Sequence, residues 1–364
     1  MNSKTSATRW VRQIIQQQNS YHASPSGDFI RLDAMENPWS MPKALEQSWL
    51  DTLIDLQLNR YPDSVAIELV QRLRAVMEIP DESAIMLGNG SDELIQAILM
   101  AIAGNGRTVL APAPSFVMYE VLARACRLSY VGVPLRQNFT LDMPAMRRAI
   151  NTHQPAVIFL ASPNNPTGTV YQQAEIEEIL NLAPGLVVVD EAYHPFVRPE
   201  SESVIARLAD NPDLIVMRTL SKVGLAGIRL GLIAGHADWI SELDKLRLPY
   251  NINKLTQATA SFALDHWQVF QDQIGEICRE RDRVYASLSS IEGIEAWPSD
   301  ANFILFRISD DGATAIHAQL QARGILIKCL HRAGSAMENC LRVTVGRPVE
   351  NDAFLKELSE LLLR

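Results

Sequence analysis

The sequence predicts an α/β large domain on a mostly parallel sheet, joined to a smaller α+β domain. Three observations carry this. Apolar runs rich in Val, Ile and Leu recur at 108–112, 156–162, 186–192 and 214–221, each bounded by turn residues. Strands buried on both faces of a parallel sheet read this way. Helix-patterned segments at 116–127, 142–151 and 172–182 separate them, which is the alternation of an α/β fold. After Pro249 the pattern changes to a long helical stretch followed by mixed strands and helices. At 364 residues the chain exceeds one simple core. The expected division is 45–248 for the large domain, and 1–44 plus 249–364 for the small domain with its N-terminal arm.

Taken in order, residues 5–18 suit an N-terminal helix and residues 28–33 a short strand. Pro38 and Pro42 then interrupt regular structure. Residues 64–78 read as a helix. Residues 91–103 read as another, capped by Ser91, with Asp92 and Glu93 in the first turn where the helix dipole favours carboxylates. Beyond the four buried runs, 254–290 reads as one long helix. There follow IEAWPSDANFILFRI (294–308), a helix near 312–323, GILIKCL (324–330), CLRVTVG (340–346) and a final helix at 350–363.

The net charge of −9 argues against a nucleic-acid or bilayer surface as the main partner. Cys126, Cys278, Cys329 and Cys340 form no CxxC pair, and the seven histidines form no HExxH-like cluster. Neither a disulfide framework nor a metal site is expected, and a reducing cytoplasm fits. The first 20 residues lack the apolar core of a signal peptide. The most apolar stretch, LIQAILMAIA (94–103), falls short of the roughly 20 residues that span a bilayer.

Chemistry concentrates in three motifs in fixed order. SPNNPTG (162–168) follows one buried run, VDEAY (189–193) ends the next, and TLSK (219–222) ends another, with Gly224, Gly227 and Arg229 just beyond. Ligands of open parallel sheets bind outside the carboxyl ends of the strands. A lysine, a carboxylate, a tyrosine, an amide and an arginine would therefore meet in one crevice. Taken alone, Asn165 is equally a turn residue, and GNGSDE (88–93) is one loop–helix junction among many.

Together these segments resemble the fold-type I pyridoxal-phosphate enzymes of the aspartate aminotransferase superfamily, over residues 32–346. The resemblance implies a fold-type I transferase with a seven-stranded-type large domain, pyridoxal 5'-phosphate as cofactor, and a role for each matching residue. Lys222 would carry the cofactor as a Schiff base and shuttle the Cα proton, because a desolvated amine becomes a nucleophile. Asp190 would pair with the pyridinium nitrogen and keep the ring an electron sink. Asn165 and Tyr193 would hydrogen-bond the phenolic oxygen. Ser221, Arg229 and the backbone amides of Ser91 and Asp92 would hold the phosphate at a helix N-terminus. Phe116 would stack on the ring, and Tyr61 would reach the neighbouring subunit's phosphate in a homodimer. Arg342 would clamp an acidic group of the substrate.

Within the superfamily the closest resemblance is to the histidinol-phosphate aminotransferases. It rests on LDAMENP (32–38), RYPD (60–63), GNGSDE (88–93), SKVGLAGIR (221–229) and CLRVTVG (340–346). It implies ping-pong transamination of histidinol phosphate with 2-oxoglutarate in histidine biosynthesis. Lys328 is a candidate second cation for the substrate phosphate, with Arg332 a weaker one and plain surface charge the alternative for Lys328. Tyr21 and Asn37 are candidates for the substrate side. Rival readings are an aromatic or aspartate aminotransferase, a phosphothreonine decarboxylase, a Ser–Lys hydrolase built on Ser221-Lys222, and the ligand-binding domain of a regulator. The hydrolase leaves Asp190, Tyr193 and Asn165 unexplained. A regulator would need a DNA-binding module, for which the segment before Asp28 is too short.

Overall fold

The structure, a computed structural model, describes residues 6–18, 27–199, 201–309 and 312–363. Thirteen strands organise the described residues. β1 is Ile30–Arg31, β2 Ala84–Gly88, β3 Thr108–Ala113, β4 Ser129–Pro134, β5 Val157–Ala161, β6 Leu186–Asp190, β7 Leu214–Thr219 and β8 Gly231–Gly235. β9 is Ile294–Ala296, β10 Phe303–Ile308, β11 Ile325–Leu326, β12 Lys328–Cys329 and β13 Cys340–Thr344.

β2 to β8 form one seven-stranded sheet in the order β2-β8-β7-β6-β5-β3-β4. Only β8 runs against the rest, antiparallel to both of its neighbours. The four apolar runs are four of its parallel strands. β5 and β6 are buried at every residue, because helices cover both faces. Side chains alternate between two cores, as a strand's period of two demands. Val187, Val189 and Val216 join one core, and Val188, Phe159 and Met217 the other. Full burial of each such side chain stabilises by about 1.5–3 kcal/mol.

A second sheet, β12-β13-β10-β9, is antiparallel and packs its own core around Leu32, Phe306 and Phe354. β1 pairs in parallel with β11, which ties the N-terminal segment to this half.

Several local expectations need correction. Residues 5–18 do not make one helix among the described residues. Two single turns, Ala7–Trp10 and Gln13–Gln16, are separated at Val11, which is extended. The stretch 254–290 divides at His266 into Lys254–Asp265 and Trp267–Ser289. Ser91 does not cap its helix. The cap is Gly90, and the Glu93 side chain instead takes the Asn89 amide at 2.6 Å. β2, β4 and β8 lack a distinctive apolar run and are recognised only in the structure. In β4 most positions are partly or fully exposed, as befits an edge strand.

Candidate active site

Five parallel strands end on one rim of the large sheet, and each delivers residues to a single crevice. β2 leads into the helix Ser91–Ala101, placing Ser91 and Asp92 in its first turn. Phe116 follows β3, Asn165 follows β5, and Tyr193 follows Asp190 at the end of β6. β7 ends at Thr219, after which a tight turn, Ser221–Leu225, kinked at Gly224 with φ +117°, carries Lys222. All of these residues, with Met35 and Arg229, line the crevice.

Asp190 is buried. The Tyr119 hydroxyl donates to its Oδ2 at 2.7 Å and the Ala192 amide to its Oδ1 at 3.0 Å. No ion pair engages it among the described residues. Burial pushes its carboxyl up to about 6, against the lowering effect of those two hydrogen bonds. Lys222 is its counterpart. Burial, and next the Arg342 guanidinium, bring its ammonium down to about 8, so a sizeable neutral fraction exists near neutrality. Its Nζ lies 5.6 Å from the centre of the Tyr193 ring. Burial holds the Tyr193 phenol well above its ordinary range, so it stays a hydrogen-bond donor.

Arg342 donates from Nη1 to Asn165 Oδ1 at 2.5 Å and from Nη2 to the Asp33 carbonyl at 3.1 Å. The first contact fixes which way the Asn165 amide points. Its Nδ2 is left facing the Tyr193 hydroxyl at 3.5 Å. At the other end, Gly90 has φ +86°, and a Cβ there would lie 2.6 Å from Arg229 Nη2. Glycine thus lets the guanidinium lie against the helix start. Arg229 is itself held at φ +54°, a region costly for an L-residue. Its Nη2 is 3.9 Å from Asp92 Oδ2. The Thr219 hydroxyl accepts the Ser221 amide at 3.1 Å and lies 2.9 Å from the Ser221 hydroxyl.

This donor set fits pyridoxal phosphate. Helix N-terminus, Ser221 and Arg229 make an anion cradle. Asp190 offers a carboxylate without a cationic partner for a protonated ring nitrogen. Lys222, Asn165 and Tyr193 supply an amine and two donors, and Phe116 supplies a flat face.

The remaining candidates fall elsewhere. Tyr61 is 77% exposed and stacks on Tyr250 with ring centres 4.4 Å apart. Asn37 does not line the crevice. Its amide donates to the Val223 carbonyl at 3.1 Å and to Gln273 at 2.9 Å, bracing the turn that carries Lys222. Tyr21 lies outside the described residues. Lys328 pairs in register with Arg342 across β12 and β13, so the two share a face, whereas Arg332 is exposed outside the strands. Sequence reasoning passes over Tyr119. The available signal is its place in the first turn of the helix, three residues after Phe116, whose ring it meets edge-on.

The model of the aminotransferase class I and II family matches residues 28–358. A histidinol-phosphate aminotransferase of Nitrosococcus oceani is 48% identical over 356 residues, covering 98% of each chain. One from Chromobacterium violaceum is 48% identical over 99% of this chain and 100% of its own length. Among solved structures, the histidinol-phosphate aminotransferase of Sinorhizobium meliloti in complex with pyridoxal-5'-phosphate superposes with a TM-score of 0.87. It covers 99% of both chains at 23% identity, a likeness of fold. The chain therefore belongs to the class I and II aminotransferases and has their fold-type I architecture.

Proposed function

We propose that this protein transfers the amino group of L-histidinol phosphate to 2-oxoglutarate, giving imidazole acetol phosphate and glutamate in histidine biosynthesis, with pyridoxal 5'-phosphate as cofactor. The observation that carries the reading is the meeting of Lys222 and Asp190, a partly neutral amine and a buried carboxylate without a cation, in one crevice. Full-length likeness to histidinol-phosphate aminotransferases supports the choice of amino donor.

The cofactor, when bound, supplies an electron-accepting ring and a carbon that carries the amino group between substrates. Arg229, Ser221 and the amides of Ser91 and Asp92 would hold its phosphate. Asp190 would keep a proton on its ring nitrogen, and Asn165 and Tyr193 would donate to its phenolic oxygen. Lys222 would hold it through Nζ, and the same amine would serve as the base that takes the proton from the substrate Cα. Amino donor and keto acid use the site in turn. One carries a phosphate and the other a carboxylate at the far end, and the Arg342 guanidinium serves either group. Lys328, on the same face, adds the second cation a phosphate dianion calls for.

A homodimer completes this reading, with Tyr61 directed to the partner's site. Its support is a set of exposed apolar side chains, Ile54, Leu58, Tyr61 and Leu248, each at least two-thirds exposed, of the kind that interfaces cover. The cytoplasm suits the four free cysteines.

The test is borohydride fixation of pyridoxal phosphate followed by peptide mapping, alongside a donor panel of histidinol phosphate, aspartate, phenylalanine and phosphothreonine. The label should fall on Lys222, and histidinol phosphate should be the preferred donor to 2-oxoglutarate. Label on another lysine, or preference for another donor, overturns the reading.

A further inference from the structure

Tyr119 is fully buried on the helix Met118–Ala125, between two rings. It stacks on Phe159 with centres 4.6 Å apart and planes 12° from parallel, and meets Phe116 edge-on at 5.6 Å. A phenylalanine would serve that packing equally well. Burying a hydroxyl is costly unless it is bonded, and among the described residues the only bond this one makes is to Asp190 Oδ2, at 2.7 Å.

We propose that Tyr119 is a positioning residue for the cofactor: its hydroxyl fixes the Asp190 carboxylate as an ionised acceptor for the ring nitrogen, while its ring backs the Phe116 platform. The inference rests on the function proposed above and assigns a role to a residue which that reading leaves unused.

The surroundings of Asp190 show why such a donor matters. Burial and the charge of Asp92 disfavour the carboxylate. The Tyr119 hydroxyl, the Ala192 amide and, across the crevice, Lys222 favour it. Tyr119 makes the largest favourable contribution. It also cannot give up its own proton, because burial and next the Asp190 charge hold its phenol far above its ordinary range. It therefore donates at every working pH. Helix and strand end are locked together by the same contact, so the ring's flat face and its nitrogen anchor keep a fixed relation.

Two non-covalent probes separate this role from packing: pyridoxamine 5'-phosphate, and its 1-deaza analogue, in which carbon replaces the ring nitrogen. Each is titrated calorimetrically into ligand-free wild type and Tyr119→Phe at pH 6.5 and 8.5. The variant should bind pyridoxamine phosphate about tenfold more weakly at pH 6.5, the scale of one hydrogen bond to a charged group. The deficit should shrink by pH 8.5, where Asp190 is ionised without help. Affinity for the deaza analogue should be unchanged, which also shows that the variant's site is intact. A loss shared equally by both probes, a loss independent of pH, or no loss overturns the role of Tyr119. Wild type that binds both probes equally would overturn the assignment of Asp190 itself, a separate failure.

Discussion

Asp190 and Glu191 are consecutive carboxylates at the end of one strand, both nearly inaccessible to solvent. They face opposite sides of the sheet, and their surroundings differ in one respect. Glu191 is fully compensated. Arg218 donates to its Oε2 from Nε at 2.9 Å and from Nη2 at 2.8 Å, Ser203 Oγ reaches both oxygens, and the Val204 amide adds a bond at 2.9 Å. Asp190 has a hydroxyl and one amide but, among the described residues, no cation. A buried ion with its partner inside the protein is architecture. One whose partner is missing is a site awaiting a ligand, here the protonated ring of the cofactor.

Exchanging the charge on each side should therefore give opposite phenotypes. Asp190→Asn should cut the transamination rate by about 10²–10³-fold, the usual scale for losing a preorganised electrostatic contact. The stability of the ligand-free protein should hold or rise, since the substitution removes an uncompensated buried charge. Steady-state assay and denaturant melts on one preparation check both halves. Glu191→Gln should do the reverse. It strands the Arg218 cation in the interior and should cost about 3–5 kcal/mol of stability, read as a lower urea midpoint. The rate of the folded fraction should stay near wild type. A stable Glu191→Gln protein with little activity would erase the distinction.

How much of this was legible beforehand follows the same divide. Asp190 stood out in VVVDEAY because a charge directly after a fully apolar strand needs a reason. Lys222, Asn165, Tyr193 and Arg229 stood out as motifs at strand ends, where an open sheet binds ligands. The four apolar runs announced the central strands because helices cover both their faces. β4 and β8 carry weaker patterns. β4 lies at the sheet edge, and β8 is GLIAG, with two glycines that dilute its apolar signal. Tyr119 and Glu191 were silent for a different reason. Their roles depend on what lies across the sheet, Asp190 for one and Arg218 for the other, at separations of 71 and 27 residues. The bracing of the Lys222 turn by Asn37, through the Val223 carbonyl and Gln273, is likewise a fact of packing.

Lys222 belongs with Asp190, a charged group without full compensation, and its titration tests that pairing. Burial lowers its ammonium to about 8. The neutral amine is the reactive form, and its population grows as pH rises toward that value. Covalent capture of pyridoxal phosphate by the ligand-free protein, followed by stopped-flow absorbance, should accelerate about tenfold per pH unit below 8 and level off above it. An ordinary solvated lysine would keep accelerating past pH 10, and that result would remove Lys222 from the uncompensated face.

The smallest effect tests whether compensation, rather than burial, is what separates the two sides. Tyr171 lies on the Glu191 side of the sheet, packed with Val187 and Val189. It is almost fully buried, and its hydroxyl has no hydrogen-bond partner among the described residues. Burial holds its phenol well above the ordinary range, so the group is neutral and contributes no charge to either network. An unpaired buried hydroxyl is a cost rather than a contact. Tyr171→Phe removes it while keeping the ring, and should leave activity unchanged and raise stability by about 1 kcal/mol. For Glu191, whose burial is equal but whose partners are complete, any truncation destabilises. A Tyr171→Phe protein that melts well below wild type would mean that a buried polar group on this face matters whether or not it is paired, and Asp190 could no longer be singled out by its missing cation.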